Sequence, residues 1–385
     1  MNVSTMDEKF LKATEVVCKQ GMFPFPVNDT TLAIMRIAVG ENPEELEFFT
    51  AFAEKPSQTL EELKQTSGLE GDKIEALASS LAAKGFIFNQ PNSSGVMVYR
   101  LLPLMNVGLM EYLFMGPLKG DEREKELAEL FERLLKEVRD GVQQNYDQLL
   151  PLFESSPPVD RTVPARTTET GERIRVISLD KSVEVPDEFV LPSQSVEEII
   201  EKFDDIAVGH CFCRQRQKTL GNPCATDAPV LNCFTFGKSA RHTTAQGFAK
   251  MITKEEALRI MKEAEEAGLV HKAFHPGANV NRPETSICNC CKDCCDTLNI
   301  WRNGAMPLVN STYHLSVVDP EACSGCGTCE EKCPTEAIQV NEEGIAQVTA
   351  DYCFGCGVCA RFCPEEAISL KEGLRKVFIP PPRLR

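Results

Sequence analysis

Two runs of cysteine near the carboxy end restrict this chain more than any other feature. Cys323, Cys326, Cys329 and Cys333 are spaced C-x2-C-x2-C-x3-C and followed by Pro334. Cys353, Cys356, Cys359 and Cys363 repeat that spacing and are followed by Pro364. Three thiolates at three-residue intervals can wrap three corners of a four-iron box in one tight loop; the fourth corner needs a ligand from elsewhere. A zinc site uses two separated pairs rather than a packed run of four. The spacing therefore predicts iron–sulfur cubanes. Gly325, Gly327, Gly355 and Gly357 are expected to let the loops visit positive φ and turn backbone N–H groups toward sulfur. Pro334 and Pro364 suit the first turn of a short helix.

The doubled motif, from about Val317 to Leu370, resembles the two-cluster bacterial ferredoxin. That resemblance implies two [4Fe–4S] clusters, one-electron transfer at low potential and crossed ligation. Cys323, Cys326, Cys329 and Cys363 would then hold one cluster, and Cys353, Cys356, Cys359 and Cys333 the other.

The remaining length is enough for two or three domains. A net charge of −16 argues against general affinity for nucleic acid or anionic lipid. Eighteen cysteines in a chain read as lacking a signal peptide point to a reducing cytoplasm, not to disulfides. Met1 to Met22 alternates charged with apolar residues and has no continuous apolar run. The nearest approach to a membrane span, Val96 to Met115, is broken by Arg100, Pro103, Asn106 and Glu111.

Four regions are expected in an α+β multidomain chain. Residues 1–118 hold helices over Pro43–Lys55, Thr59–Thr66 and Asp72–Lys84. Thr59 and Glu62 form a capping box, and Gly68 and Gly85 act as stops. Strands are expected at Phe86–Phe88 and Val96–Tyr99. Three helices and a hairpin resemble a winged-helix domain. Yet Pro43–Lys84 carries nine acidic residues against four basic ones, which suits protein docking better than duplex DNA. Residues 119–157 read as a helical connector, with Leu127, Leu130, Phe131 and Leu134 as the apolar stripe of a helix over Asp121–Val142. Ser155–Pro158 is a break. Beyond it, a strand is expected over Ile174–Leu179 and a helix over Ser193–Phe203.

Residues 158–312 hold nine more cysteines: Cys211, Cys213, Cys224, Cys233, Cys288, Cys290, Cys291, Cys294 and Cys295. So many close thiols are an oxidation hazard unless metal ties them up. The C-x-C-R and C-N-C-C-x-x-C-C segments resemble one found upstream of ferredoxin modules in predicted iron–sulfur proteins of anaerobic bacteria. Eight ligands would support two further cubanes, the reading favoured here; one cluster plus free or zinc-bound thiols is the conservative count. Cys211, Cys213, Cys224 and Cys233 make one set. Cys288, Cys290 or Cys291, Cys294 and Cys295 make the other.

Arg214 and Arg216 could offset the negative charge of a cluster, or be ordinary surface arginines. His210, His242, His271, His275 and His314 read as partly buried histidines rather than ligands. Trp301 and Tyr313 read as core, and Cys18 as a buried thiol. No dinucleotide or P-loop signature occurs, so no flavin or NAD site is expected in this chain.

Residues 313–385 form the ferredoxin region. Asp319–Lys371 holds ten acids against Lys332, Arg361 and Lys371, which keeps cluster potentials low and steers the face toward basic partners. The basic, proline-rich tail Arg375–Arg385 is expected to clip onto an acidic neighbour. The chain thus reads as a cytoplasmic electron-transfer subunit of an anaerobic oxidoreductase, with a flavoprotein or other redox subunit as its partner. The alternatives are a redox-sensing transcription regulator, and an enzyme with an open-coordinated cluster in the central region.

Overall fold

The computed structural model describes residues 5–384 apart from 22, 106, 159, 178–194, 277–278, 280–281 and 374–377. The described chain mixes helices and strands and divides into two compact units. The first comprises Met1–Val138, Ala207–Pro223 and Gly237–Met251; the second comprises Arg139–Ile206, Cys224–Phe236 and Ile252–Arg385.

In the first unit, local signals set most boundaries. Asn42 accepts the Glu44 N–H at 3.1 Å and starts a helix over Pro43–Phe48. That helix tightens to a 3-10 turn over Phe49–Phe52 instead of running to Lys55, burying Phe48, Phe49 and Phe52. Thr59 and Glu62 cap the helix Leu60–Ser67 reciprocally, and Gly68 ends it at φ +68°. The helix Gly71–Ala83 buries Ile74, Leu77, Leu81 and Ala82. Strands Ile87–Pro91 and Met97–Leu101 pair antiparallel, and a short strand, Ser57–Thr59, adds to the free side of Met97–Leu101. The helix Glu122–Gln144 buries Leu127, Leu130, Phe131 and Leu134, each contributing about 1.5–3 kcal/mol relative to exposure.

Two later segments fold within this same unit. Residues 207–209 pair antiparallel with 249–251. The helix Phe212–Thr219 follows, and Gln215 Nε2 donates to Phe114 O and Gly116 O at 2.6 Å each, tying it to the helix Leu109–Met115.

In the second unit, four antiparallel strands lie side by side: Asp160–Val163, Val270–Phe274, Ser286–Cys290 and Leu231–Phe236. Buried ion pairs hold this sheet in register. Lys272 Nζ meets Asp160 Oδ2 at 2.8 Å, the two side chains being 0% and 1% exposed. Arg161 Nη2 donates to Glu284 Oε1 at 2.6 Å, both side chains being 1% exposed. The helix Lys254–Glu266 starts where Thr253 accepts the Glu256 N–H, and it buries Ala257, Ile260, Met261 and Ala264.

The carboxy-terminal part of this unit carries a second sheet. His314–Val318 pairs antiparallel with Ile368–Glu372, and Val176–Ile177 joins Leu370–Lys371 in parallel. Ile338–Val340 and Ala346–Val348 form a hairpin. Two short helices, Thr328–Lys332 and Val358–Arg361, follow the two cysteine loops. Arg361 is 6% exposed and donates to Thr167 O at 2.8 Å and Thr167 Oγ1 at 3.0 Å. Ala165 N–H donates to Cys356 O at 2.8 Å. Residues 165–177 therefore belong structurally to the ferredoxin-like part, although they stand far from it in sequence.

The tail clips onto an acidic neighbour. Arg383 makes a bidentate pair with Asp147 at 2.9 and 3.0 Å, and Tyr146 Oη donates to Pro381 O at 2.7 Å. Residues 375–377 and 385 of that tail lie outside the described residues. So do 178–179 of the expected strand, 193–194 of the expected helix (seen as Val196–Glu201), Met22 and Asn106.

Candidate metal centre

The two motif copies fold into two loops of matching form. Gly325 and Gly355 sit at φ +69° and +76°. A Cβ at Gly325 would stand 2.3 Å from Gly344 O, and one at Gly355 would stand 2.1 Å from His314 O. Only glycine permits both the backbone conformation and this close approach. Gly327 and Gly357 sit at the N-caps of the two short helices. Pro334 and Pro364 do not open helices, as the sequence suggested. Each opens a turn, and two residues later Glu336 and Glu366 take left-handed φ of +57° and +48°. The chain must reverse there to enter the next strand, so a helix has no room to continue.

The loops enclose two cavities. One is lined by Cys323, Cys326, Cys329 and Cys363, with Gly325, Gly327 and Pro364 in its wall. The other is lined by Cys333, Cys353, Cys356 and Cys359, with Pro334 and Gly355. Each cavity draws three cysteines from one copy and the last cysteine of the other. Four soft sulfur donors around one small space form a donor set that fits a [4Fe–4S] cluster.

Local contacts tune these thiols. Ala337 N–H donates to Cys333 Sγ at 3.2 Å, and Ser316 Oγ lies 3.2 Å from Cys359 Sγ. Burial pushes the Cys329, Cys356 and Cys359 thiols up. The Thr328 hydroxyl beside exposed Cys326 pulls that thiol down. Buried neutral thiols become ligands only by losing protons, so loading this site with iron releases protons and is opposed by acid.

The central cysteines spread across both units. Cys211 and Cys213 are buried at the start of the helix Phe212–Thr219 in the first unit. Arg214 and Arg216 beside them are also buried rather than on the surface; Arg216 Nη1 meets Glu132 Oε2 at 2.9 Å. The other seven lie in the second unit. Cys288 and Cys290 are on the strand Ser286–Cys290, and Cys233 is on Leu231–Phe236. Ser286 pairs with Thr235 and Ile287 with Phe234, and Cys288 and Cys233 are the next residues along their strands from the last of these pairs. Cys290 shares a hydrogen bond with Cys295. Cys224, Cys291 and Cys294 come together, with all three sulfurs within 4.8 Å of one another. The sequence-based sets separate Cys224 from Cys291 and Cys294; the fold brings them side by side.

The histidines have protein partners. His210 Nδ1 lies 3.3 Å from Met115 O, and His275 Nδ1 lies 2.7 Å from Arg282 O. His271 bonds Asn289, and His314 Nε2 lies 3.6 Å from Glu372 Oε1. His242 Nδ1 lies 3.2 Å from Asn89 Oδ1, and burial pulls its pKa down to about 4. Trp301 is 1% exposed, and burial pushes the Cys18 thiol up to about 11.

Among the described residues, no helix is long and apolar enough to cross a membrane. Residues 316–370 match the family model of the 4Fe-4S dicluster domain. A probable ferredoxin from Methanosarcina thermophila is 44% identical over 34 residues, which is 9% of this chain and 59% of that protein. The chain thus spans little more than half the length of this curated relative. No solved structure matches the chain. The cysteine loops, the cavities they line and the family match converge: residues 316–370 are a ferredoxin-like 4Fe-4S domain.

Proposed function

We propose that this chain is an electron carrier holding two [4Fe–4S] clusters with crossed ligation, one on Cys323, Cys326, Cys329 and Cys363, the other on Cys353, Cys356, Cys359 and Cys333. The observation that carries this reading is the pair of cavities, each lined by four cysteines taken from both motif copies. When bound, each cluster supplies a reversible one-electron couple. The protein supplies burial, thiolate ligands and N–H···S bonds that set the potential. The acidic surface lowers that potential and favours a basic docking face on the partner.

A third cluster could take the remaining thiols of the second unit, Cys233, Cys288, Cys290 and Cys295, on two neighbouring strands and the loop beyond, provided that the Cys290–Cys295 contact opens when iron binds. The amino-terminal elements support a winged-helix reading: a short strand, two helices and a hairpin, with Met97–Leu101 as the central strand. Its acidic helices suit protein docking. The whole is then a cytoplasmic subunit of an anaerobic oxidoreductase, fed by a flavoprotein or another redox subunit.

One observation favours the enzyme reading as second choice. A cavity of about 540 Å³ lies within the second unit, lined by Arg166, Arg173, Thr312, Tyr313 and His314 among others. Thr312 and His314 also border Gly355 of the second cysteine loop.

Anaerobic reductive titration followed by EPR tests the carrier. The protein should bleach reversibly, the ferredoxin domain taking up about two electrons, one for each cubane. It should return them to an added flavoprotein acceptor. Failure to bleach, or bleaching without return of electrons, would contradict an electron-carrier role.

A further inference from the structure

Three thiols of the second unit stand closer together than cluster ligands do. Cys224 Sγ is 3.6 Å from Cys291 Sγ, and Cys291 Sγ is 3.2 Å from Cys294 Sγ. These spacings discriminate between metal centres. Thiolates bound tetrahedrally to one ion at about 2.3 Å have sulfurs about 3.8 Å apart. A cubane places each thiolate on a different iron and points it outward from the box, so its ligand sulfurs stand well beyond that spacing. Sulfurs at 3.2 and 3.6 Å cannot sit on separate corners of a cubane without the loop opening.

The loop is also built to stay closed. Cys291-Lys-Asp-Cys294 is a C-x2-C turn in which Cys294 N–H donates to Cys291 Sγ at 3.2 Å. Asp293 Oδ2 accepts the Ala225 N–H at 2.7 Å, which fixes the residue after Cys224 against the turn. Asn299 Nδ2 donates to Asp293 O at 2.9 Å, and Arg302 donates to Lys292 O, so the helix Asp296–Arg302 braces the turn from behind. None of these contacts involves the thiols that would serve as ligands, apart from the one N–H···S bond. Such a bond favours the ionised sulfur that a metal requires.

We propose that Cys224, Cys291 and Cys294 supply three corners of a tetrahedral site for a single zinc-class divalent ion, separate from the iron–sulfur clusters. The ion carries no electrons. Its role is to bind the segment around Cys224 to a turn 67 residues further along the chain.

Metal analysis of the anaerobically purified full chain, with zinc K-edge absorption, tests this. We expect about one zinc per chain with a sulfur shell at about 2.3 Å and no iron neighbour. Cys224→Ser and Cys291→Ser should each lower zinc content at least tenfold while iron and acid-labile sulfide stay unchanged. One iron in excess of labile sulfide, lost in the same variants, would identify the ion as ferrous and support the site equally. Loss of iron and sulfide together in cubane ratio would overturn the proposal. So would unchanged metal content, or a Cys291–Cys294 disulfide in the metal-free protein. If the variants fail to fold, the spectrum of the unaltered protein decides: zinc absent and iron equal to labile sulfide means no such site.

Discussion

Cys363→Ala is expected to remove the cluster whose other ligands lie in the first motif copy. Cys363 is ten residues beyond Cys353 in sequence, yet it lines the cavity of Cys323, Cys326 and Cys329. The variant should lose about four irons with their sulfides and keep the cluster on Cys333, Cys353, Cys356 and Cys359. Pairs of substitutions make the crossing visible. Cys323→Ala added to Cys363→Ala should cost no further iron, because both act on one cluster. Cys353→Ala added to Cys363→Ala should empty the domain. Cys333→Ala should show the reciprocal behaviour. This is the logic of coupled and independent sites. Iron and sulfide analysis with EPR reads the outcome. If Cys353→Ala is the silent addition and Cys323→Ala the additive one, the ligation is uncrossed.

Lys272→Ala should give the largest loss of stability outside the ferredoxin-like domain. Lys272 and Asp160 meet diagonally across neighbouring strands, Lys272 being opposite Thr162 and Asp160 opposite Phe274, with essentially no solvent access. Lys272 also donates to Leu308 O, and Asn310 Nδ2 donates to Asp160 Oδ1 at 2.9 Å. Removing one partner leaves the other charge buried, which costs about 3–5 kcal/mol. That is a large part of the roughly 5–15 kcal/mol typical of a folded domain. The double change Lys272→Met with Asp160→Leu removes both charges and should recover most of the loss. Anaerobic urea unfolding of the three proteins measures this. A Lys272→Ala midpoint matching the unaltered protein would show that the pair contributes nothing.

The carboxy-terminal site was readable in the sequence because a cubane dictates ligand spacing within a few residues. The helix at Leu60–Ser67 was equally readable, since Thr59, Glu62 and Gly68 are local punctuation. What escaped was non-local. The strand Ser57–Thr59 is three residues long, too short to show a period. Val176–Ile177 joins the ferredoxin-like sheet by pairing with Leu370, and neither residue is buried. Asp160, Arg161 and Lys272 are charges in strand positions, where sequence patterning expects apolar residues, and they pair with one another or with Glu284. Each finds its partner more than a hundred residues away. The grouping of Cys224 with Cys291 and Cys294 has the same character. Adjacency in sequence suggested other sets, and the clamp from Asp293 to Ala225 exists only in three dimensions.

Iron and acid-labile sulfide, determined together on the freshly isolated, oxygen-free full chain, test the central claim most directly. The account predicts a brown protein with at least about eight irons and as many sulfides per chain, the content of two cubanes. A folded but colourless protein with iron well below one cubane per chain would contradict it.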